Sequence, residues 1–146
     1  MAQSPPDTFH QLCEYVRETA LLVSASALLQ WDERTLLPPR GGEYRAEQVA
    51  LLAGLIHARQ TDPQLRDWLH ELDGHSGGNE VTDDQAVAVR ELRRQYKKQT
   101  KLPRRLVEEL SRAAVLGQQN WSAARQCNDF ATFAPQLEKI LNLKRE

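Results

Sequence analysis

Histidines, cysteines and acidic residues are the side chains of this sequence that could carry chemistry. A zinc hydrolase of the His-Glu-x-x-His type needs two histidines four residues apart on one helix, with the glutamate as general base. The nearest approach is His70-Glu71-Leu72-Asp73-Gly74-His75, where the spacing is five residues. That spacing turns the second imidazole about 140° from the first on an ideal helix. We therefore interpret His70 and His75 as surface residues near a helix end.

The sequence also contains no recognisable motif for a catalytic nucleophile or for a phosphate-binding loop. Cys13 and Cys127 are far apart, so they form neither a disulfide framework nor a metal-binding pair, and we expect both to be reduced and buried. No serine stands in a Gly-x-Ser-x-Gly motif, and no glycine-rich loop follows a strand. The Asp83-Asp84 pair is interpreted as favourable charge at a helix amino terminus. The sequence thus predicts no catalytic, cofactor-binding or metal-binding residue in this chain.

A run of basic residues between Arg90 and Arg105 allows two interpretations. It contains eight basic residues and the single acid Glu91. On a helix, four of the basic residues form a narrow stripe: Arg90, Arg94, Lys97 and Lys101. The stripe is either a binding surface for an anion, such as nucleic acid or a carboxylate-bearing partner, or the solvated side of an amphipathic helix. We favour the solvated side, because no aromatic residues are interleaved to stack on bases.

The cluster Trp31-Asp32-Glu33 also has two interpretations. It could line a cleft, with a large aromatic beside two carboxylates. Alternatively, Trp31 closes the core while Asp32 and Glu33 remain in water. Aromatic residues at helix ends usually pack, so we favour the second interpretation and predict that Trp31 is mostly buried.

These residues must be positioned by a chain of ordinary globular composition. Apolar residues make up 40% of the 146 and charged residues 27%, with 19 basic and 20 acidic side chains. This balance gives no overall attraction to nucleic acid or membrane. The longest weakly polar run, Ala20 to Leu29, is shorter than the roughly 20 residues that span a bilayer. The amino terminus lacks the pattern of a secretory signal, so we predict a cytoplasmic protein. From the length of the chain we predict that residues 1–146 form a single helical lobe.

The segment Pro38-Pro39-Arg40-Gly41-Gly42 forbids helix continuation and joins two amphipathic helical patterns. The two helices are therefore expected to fold back as a long antiparallel hairpin, the packing centre of the chain. The apolar stripe of the first helix is predicted to comprise Phe9, Cys13, Val16, Ala20, Val23, Ala27 and Trp31. That of the second helix is predicted to comprise Ala46, Val49, Ala50, Ala53 and Ile56.

Four more helices are predicted after the hairpin. The third runs from about Pro63 to Leu72, and a loop is expected over 73–79. The fourth begins at the capping box of Thr82 and Gln85 and runs to about Thr100. The fifth follows Pro103, and Pro135 is expected to open the last one after a short turn. No strand pattern is present, so the fold is predicted to be all-α with about six helices. The helical pattern persists to Glu146, which is common in chains cut from a longer one and also occurs as a frayed helical end in complete proteins.

Several segments together resemble the amino-terminal region of the carboxypeptidase Taq family of zinc metallocarboxypeptidases. The first group consists of Trp31-Asp32, Pro38-Pro39, Gly41-Gly42, Arg45-Ala46-Glu47-Gln48, Leu52-Ala53-Gly54-Leu55 and Thr61-Asp62-Pro63. The later group consists of Thr100-Lys101-Leu102-Pro103, Leu106-Val107-Glu108-Glu109-Leu110, Asn128-Asp129-Phe130 and Phe133-Ala134-Pro135. The resemblance covers nearly the whole chain and is specific in its combination.

The resemblance implies an all-α enzyme that removes single residues from peptide carboxyl termini. It also implies a zinc ion held by two histidines of His-Glu-x-x-His and a later glutamate, none of which has a counterpart in this sequence. The chain is expected to be inactive and free of zinc by itself, with peptide as substrate only within a full-length enzyme. A stand-alone helical interaction module is the alternative. An apolar stripe on so long a first helix also predicts self-association through helices one, two or five.

Overall fold

The computed structural model describes residues 5–38, 40–74 and 82–146. These residues form six α-helices and no strand. The helices are α1 (Pro5–Thr35), α2 (Gly42–Gln60), α3 (Pro63–Gly74), α4 (Asp83–Gln99), α5 (Arg104–Cys127) and α6 (Phe130–Arg145). The all-α prediction is confirmed for this part of the chain. Of the loop expected over 73–79, Asp73 and Gly74 belong to α3, and the remainder lies outside the described residues.

The helical hairpin predicted at the Pro/Gly corner is present. The amide groups of Leu36 and Leu37 both donate to the Asp32 carbonyl, at 2.9 and 3.0 Å, and close the end of α1. Across the corner, Arg45 Nη1 donates to the Leu29 carbonyl at 2.6 Å, and its Nη2 donates to Asp32 Oδ2 at 2.6 Å. Arg45 therefore fastens the beginning of α2 to the end of α1.

The contacts within the chain divide it into two compact units. Unit 1 comprises Met1–Leu22 and Ile56–Leu102, and unit 2 comprises Val23–Leu55 and Pro103–Glu146. Helices α1 and α2 thus contribute residues to both units. The assignment of residues 1–146 to one lobe remains a prediction.

The core of unit 1 is built from leucines of α1 and α3 with one valine of α4. Its buried members are Leu12, Leu65, Leu69, Leu72 and Val89. Around them pack the partly buried side chains of Phe9, Val16, Trp68, Leu92 and Tyr96. Burying each large aliphatic side chain contributes about 1.5 to 3 kcal/mol, so this cluster is the main apolar contribution to unit 1.

Unit 2 has two smaller cores. One joins α2 to α5 through Ala46, Val49 and Val115, with Leu29 and Leu116 packed against it. The other joins α5 to α6 and contains Leu106, Ala113, Leu143, Leu110 and Ile140. A Cβ added to Gly117 of α5 would lie 2.8 Å from Ile140 Cδ1, so a glycine permits close approach of the two helices.

The stripe predicted on α1 is wrong by one residue along most of its length. The buried positions are Thr8, Leu12, Thr19 and Ser26, whereas Cys13, Ala20, Val23, Ala27 and Trp31 are exposed. Of the predicted stripe, Phe9 and Val16 do pack against the core of unit 1. A shift of one residue turns a helix by about 100°, which exchanges one side for another.

Hydrogen bonds explain why small polar side chains occupy the buried side of α1. Thr8 Oγ1 donates to Glu71 Oε1 at 3.1 Å. Thr19 Oγ1 donates to the Tyr15 carbonyl at 2.9 Å and accepts from Arg59 Nε at 3.0 Å. A buried hydroxyl with such partners avoids the cost of an unsatisfied polar group. Apolar periodicity alone could not reveal these pairs.

Helix ends agree with the sequence in one case and differ in another. Both hydrogen bonds of the capping box between Thr82 and Gln85 are present, as predicted. The last helix, however, begins at Phe130 and contains Pro135, so the prediction that Pro135 opens it is wrong. Asn128 has a φ of 55° and ends α5, and the Asp129 carboxylate accepts from the Ala131 amide. This carboxylate cap starts α6 five residues before the proline.

Tyr15 supplies a pH-dependent contact in unit 1. Its hydroxyl donates to Asp62 Oδ2 at 3.1 Å, and the Arg59 guanidinium lies 4.0 Å from its ring centroid. Burial, followed by the hydrogen bond to Asp62, raises the pKa of Tyr15. Because folding raises this pKa, the stabilisation is complete below the unfolded value of about 10 and is lost as the pH rises through the folded value.

Replacement of this tyrosine should therefore change both stability and its alkaline dependence. Tyr15→Phe is expected to lower the free energy of unfolding by about 1 kcal/mol at neutral pH, the usual value of one hydrogen bond. It should also flatten the fall of stability between about pH 9 and pH 11. Urea unfolding across this range measures both, and Tyr44→Phe, at an exposed tyrosine, is the control. An unchanged alkaline slope in Tyr15→Phe would contradict the assignment.

Candidate functional site

The histidines and cysteines examined as possible ligands do not converge. His10 and His70 are exposed, which confirms the surface interpretation of His70. His75 lies outside the described residues. Cys13 and Cys127 are free thiols, but both are exposed, so the prediction that they are buried is wrong. Within residues 5–38, 40–74 and 82–146, no group of three His, Cys, Asp or Glu side chains could hold a metal ion.

His57 is a buried histidine that the sequence reasoning missed. It is 5% exposed, and its Nε2 lies 3.2 Å from the Gln99 carbonyl at the end of α4. A carbonyl only accepts, so Nε2 carries the proton and donates. The spacing Ala46, Ala50, Ala53, His57 continues the buried side of α2, and that continuation was available in the sequence. The contact joins α2 to α4 within unit 1 and is structural.

The cluster Trp31-Asp32-Glu33 is arranged differently from both interpretations. Trp31 is 61% exposed, so the prediction of a mostly buried tryptophan is wrong. The side chains of Asp32 and Glu33 are half-buried, and Asp32 forms the ion pair with Arg45. Burial raises the pKa of the Glu33 carboxyl. The Asp32 carboxylate stabilises the corner of the hairpin, while Trp31 lies away from the packed side of α1.

The basic stripe of α4 is exposed in unit 1. Val89, Leu92 and Tyr96 pack into the core on the other side of the helix. Arg94 donates to both carboxylate oxygens of Glu91 at 2.8 Å. The hydrogen bonds from Arg94 lower the pKa of Glu91 to about 2. One cation of the stripe is therefore already paired within the helix, which favours a solvated side over a dedicated anion site.

The junction of α5 and α6 carries a small open pocket of about 180 Å³. Among its lining residues, Phe130 meets Phe133 edge-on with centroids 6.2 Å apart, and the Arg125 guanidinium lies 5.9 Å from the Trp121 ring. Its single carboxylate, Asp129, accepts from the Ala131 amide and from the Thr132 hydroxyl at 2.6 Å. Those bonds lower the pKa of Asp129 and hold it at the helix end. The pocket therefore has no free acid for catalysis.

Two helices of unit 2 expose apolar side chains in regular patterns. On α2 these are Tyr44, Leu51 and Leu55, with exposed fractions of 73%, 60% and 42%. On α1 they are Val23, Leu28 and Trp31, together with Ala27. We call these two sets the outward faces of α2 and α1. They are a candidate functional surface in unit 2, and their apolar side chains suit binding rather than catalysis.

The described side chains thus form no metal site, no activated nucleophile and no acid–base pair. They do form exposed apolar surface on α1 and α2. The chain matches the family model described as carboxypeptidase Taq (M32) metallopeptidase over residues 11–146. The chain belongs to this family. The match covers nearly the whole sequence and confirms the resemblance inferred from its motifs.

Individual curated proteins and solved structures are also similar to the chain. The chain is 39% identical to thermostable carboxypeptidase 1 of Thermus thermophilus, over 98% of this chain and 28% of that protein. It superimposes on metallocarboxypeptidase 1 of Trypanosoma cruzi with a TM-score of 0.69 at 26% identity, covering 94% of this chain and 27% of that one. The crystal structure of BsuCP gives a TM-score of 0.87 at 24% identity over 94% of this chain and 27% of that one, which shows the shared fold.

The family match concerns only a part of these metallopeptidases. The chain spans between 24% and 28% of the length of the curated relatives that it matches. It corresponds to the amino-terminal helical region of a carboxypeptidase Taq enzyme. Zinc belongs to the family, but the donor side chains of the described residues are too dispersed to fit it. The absence of His-Glu-x-x-His from the sequence agrees with that dispersion.

Proposed function

We propose that this chain acts as the amino-terminal lobe of a zinc metallocarboxypeptidase that removes carboxy-terminal residues from peptides. In this proposal, the zinc ligands and the catalytic glutamate belong to the part of the enzyme that lies outside the matched quarter. The observation that carries it is the family match over residues 11–146 in a chain that spans 28% of its Thermus relative. By itself the chain is expected to hold no zinc and to hydrolyse no peptide.

The role of the lobe would be mechanical. Packed helices form a stable wall, and such a wall can flank a substrate groove and restrict entry to peptide ends. The cores of units 1 and 2 supply the rigidity that this role requires. The side chains of this chain would contact the peptide and restrict its entry to the groove. Proton transfer and attack on the peptide bond would occur elsewhere in the enzyme.

Location and assembly are part of the same proposal. No helix of the described residues combines the length and apolar character needed to span a bilayer. A cytoplasmic location is proposed for the full-length enzyme. Pairing of isolated chains through their exposed apolar side chains is also proposed, and sedimentation at micromolar concentration measures it.

A chimeric enzyme tests the proposed function. The segment of the Thermus carboxypeptidase that matches this chain would be replaced by residues 1–146, and release of carboxy-terminal amino acids would be measured with zinc present. The chimera is expected to be active, while the isolated chain is inactive and binds no stoichiometric zinc. A folded, zinc-loaded chimera without activity would contradict the proposal. Zinc retained by the isolated chain and lost on His70→Ala would contradict it as well.

A stand-alone helical interaction module is the second candidate, and the outward faces of α1 and α2 favour it. Sequencing the gene beyond the codon for Glu146 separates the two functions. An open reading frame that carries His-Glu-x-x-His supports the enzyme lobe. A stop codon at that point supports the module.

A further inference from the structure

Helix α2 has two apolar sides in unit 2. One side packs against α5 and α1 through Ala46, Val49 and Ala50, which are at most 5% exposed. On the opposite side of the helix, Tyr44, Leu51 and Leu55 follow at spacings of seven and four residues. A helix that is apolar on both sides is normally buried on both sides. Among the described residues of unit 2, only the first of these two sides packs against other helices.

Helix α1 shows the same arrangement in its second half. From Ala20 to Trp31 it contains no charged residue. Ser26 is buried and Leu29 packs against the core, whereas Val23, Leu28 and Trp31 are between 45% and 68% exposed on the other side. A solvated helix side usually carries charged residues. This one carries Val23, Leu28 and Trp31 instead.

Two of the charged residues near the outward face of α2 are paired within unit 2, and a third, Glu43, is acidic and exposed. Arg45 forms its pair with Asp32, and Glu47 accepts two bonds from Arg112, at 2.6 and 2.8 Å. From Gln48 to Ile56 the helix has no charged side chain. Such a surface does not suit nucleic acid or an acidic peptide, which require free cations. It suits the apolar side of other helices.

We propose that the outward faces of α1 and α2 are the surfaces on which the remaining part of the metallocarboxypeptidase polypeptide docks. This inference rests on the proposed function. The two solved structures are each about three and a half times as long as this chain, since 94% of this chain covers 27% of each, so most of their polypeptide lies outside the match. A tethered partner is present at an effective concentration on the order of millimolar, so it would displace a second copy from these faces.

Thiol accessibility tests the inference without relying on activity. In a Cys13→Ser/Cys127→Ser background, Leu51→Cys and Trp31→Cys place a thiol on each outward face, and Val87→Cys places a control thiol on α4, where Val87 is 53% exposed. Each variant is made in the isolated chain and in the Thermus chimera. Modification by a thiol reagent is followed by mass spectrometry of the peptide that contains the new cysteine.

Positions 31 and 51 should react about tenfold or more slowly in the chimera than in the isolated chain, because a covered side chain reacts only when the interface opens. Position 87 should react equally in both. Equal rates at position 51 in an active chimera would overturn the docking inference and leave the proposed function intact. Protection at position 51 in a zinc-loaded but inactive chimera would support the docking inference and contradict the proposed function. The isolated chain is labelled at a concentration at which sedimentation shows a monomer, so that pairing of isolated chains does not contribute to its protection.

Discussion

Leu12→Ala is expected to lower the free energy of unfolding by about 3 to 5 kcal/mol, the range for deleting most of a fully buried leucine side chain. Leu12 is 0% exposed and lies in the core of unit 1 with Leu69 and Leu72. The loss combines the transfer free energy of the deleted carbons with the cavity that they leave. Urea unfolding followed by circular dichroism measures it, and the dependence on urea should keep its slope.

Trp31→Ala is the control on the same helix. It deletes a larger side chain, yet the change in the free energy of unfolding of the isolated chain should stay below about 1 kcal/mol, because Trp31 is 61% exposed. The contrast between the two variants tests which side of α1 is packed. A larger loss for Trp31→Ala than for Leu12→Ala would restore the stripe predicted from the sequence and reject the observed orientation of the helix.

Arg45→Met should destabilise the hairpin corner by about 2 to 3 kcal/mol. Arg45 keeps 11% of its side chain exposed and binds the Asp32 carboxylate and the Leu29 carbonyl. Methionine preserves most of the buried aliphatic stem, so the loss reports the charged hydrogen bonds and the carboxylate left without its partner. We expect less than the full cost of breaking a buried pair, because the Asp32 side chain is 34% exposed. The midpoint of urea unfolding measures the change.

Arg112→Met is the matched control for Arg45→Met. It breaks the ion pair with Glu47, whose side chain is 61% exposed, so water can replace the lost partner. The hydrogen bond from Arg112 lowers the pKa of Glu47, but exposed pairs of this kind contribute little to the free energy of unfolding. If both variants lost equal stability, Arg45 would be an ordinary surface residue and the corner would be held by backbone turns alone.

The helix boundaries next to helix-breaking and capping residues could be predicted directly from the sequence. Two prolines and two glycines between Pro38 and Gly42 ended α1 and began α2, because proline lacks the amide hydrogen that a continuing helix needs. Thr82 and Gln85 capped α4 through neighbouring atoms, which requires no knowledge of the rest of the fold. The segments that resemble carboxypeptidase Taq sequences are also local patterns of neighbouring residues, so they identified the family without knowledge of the fold.

Only the tertiary structure decided which side of each helix is buried. In α1, an uncharged stretch offers apolar residues on nearly every side, so periodicity cannot choose between the stripe of Ala27 and Trp31 and the observed side of Leu12 and Ser26. The choice depends on hydrogen bonds to distant residues, such as that from Arg59 to Thr19. The exposure of Trp31 and the burial of His57 were not predicted for the same reason. Burial is a property of the neighbours that a side chain meets, and those neighbours are distant in the sequence.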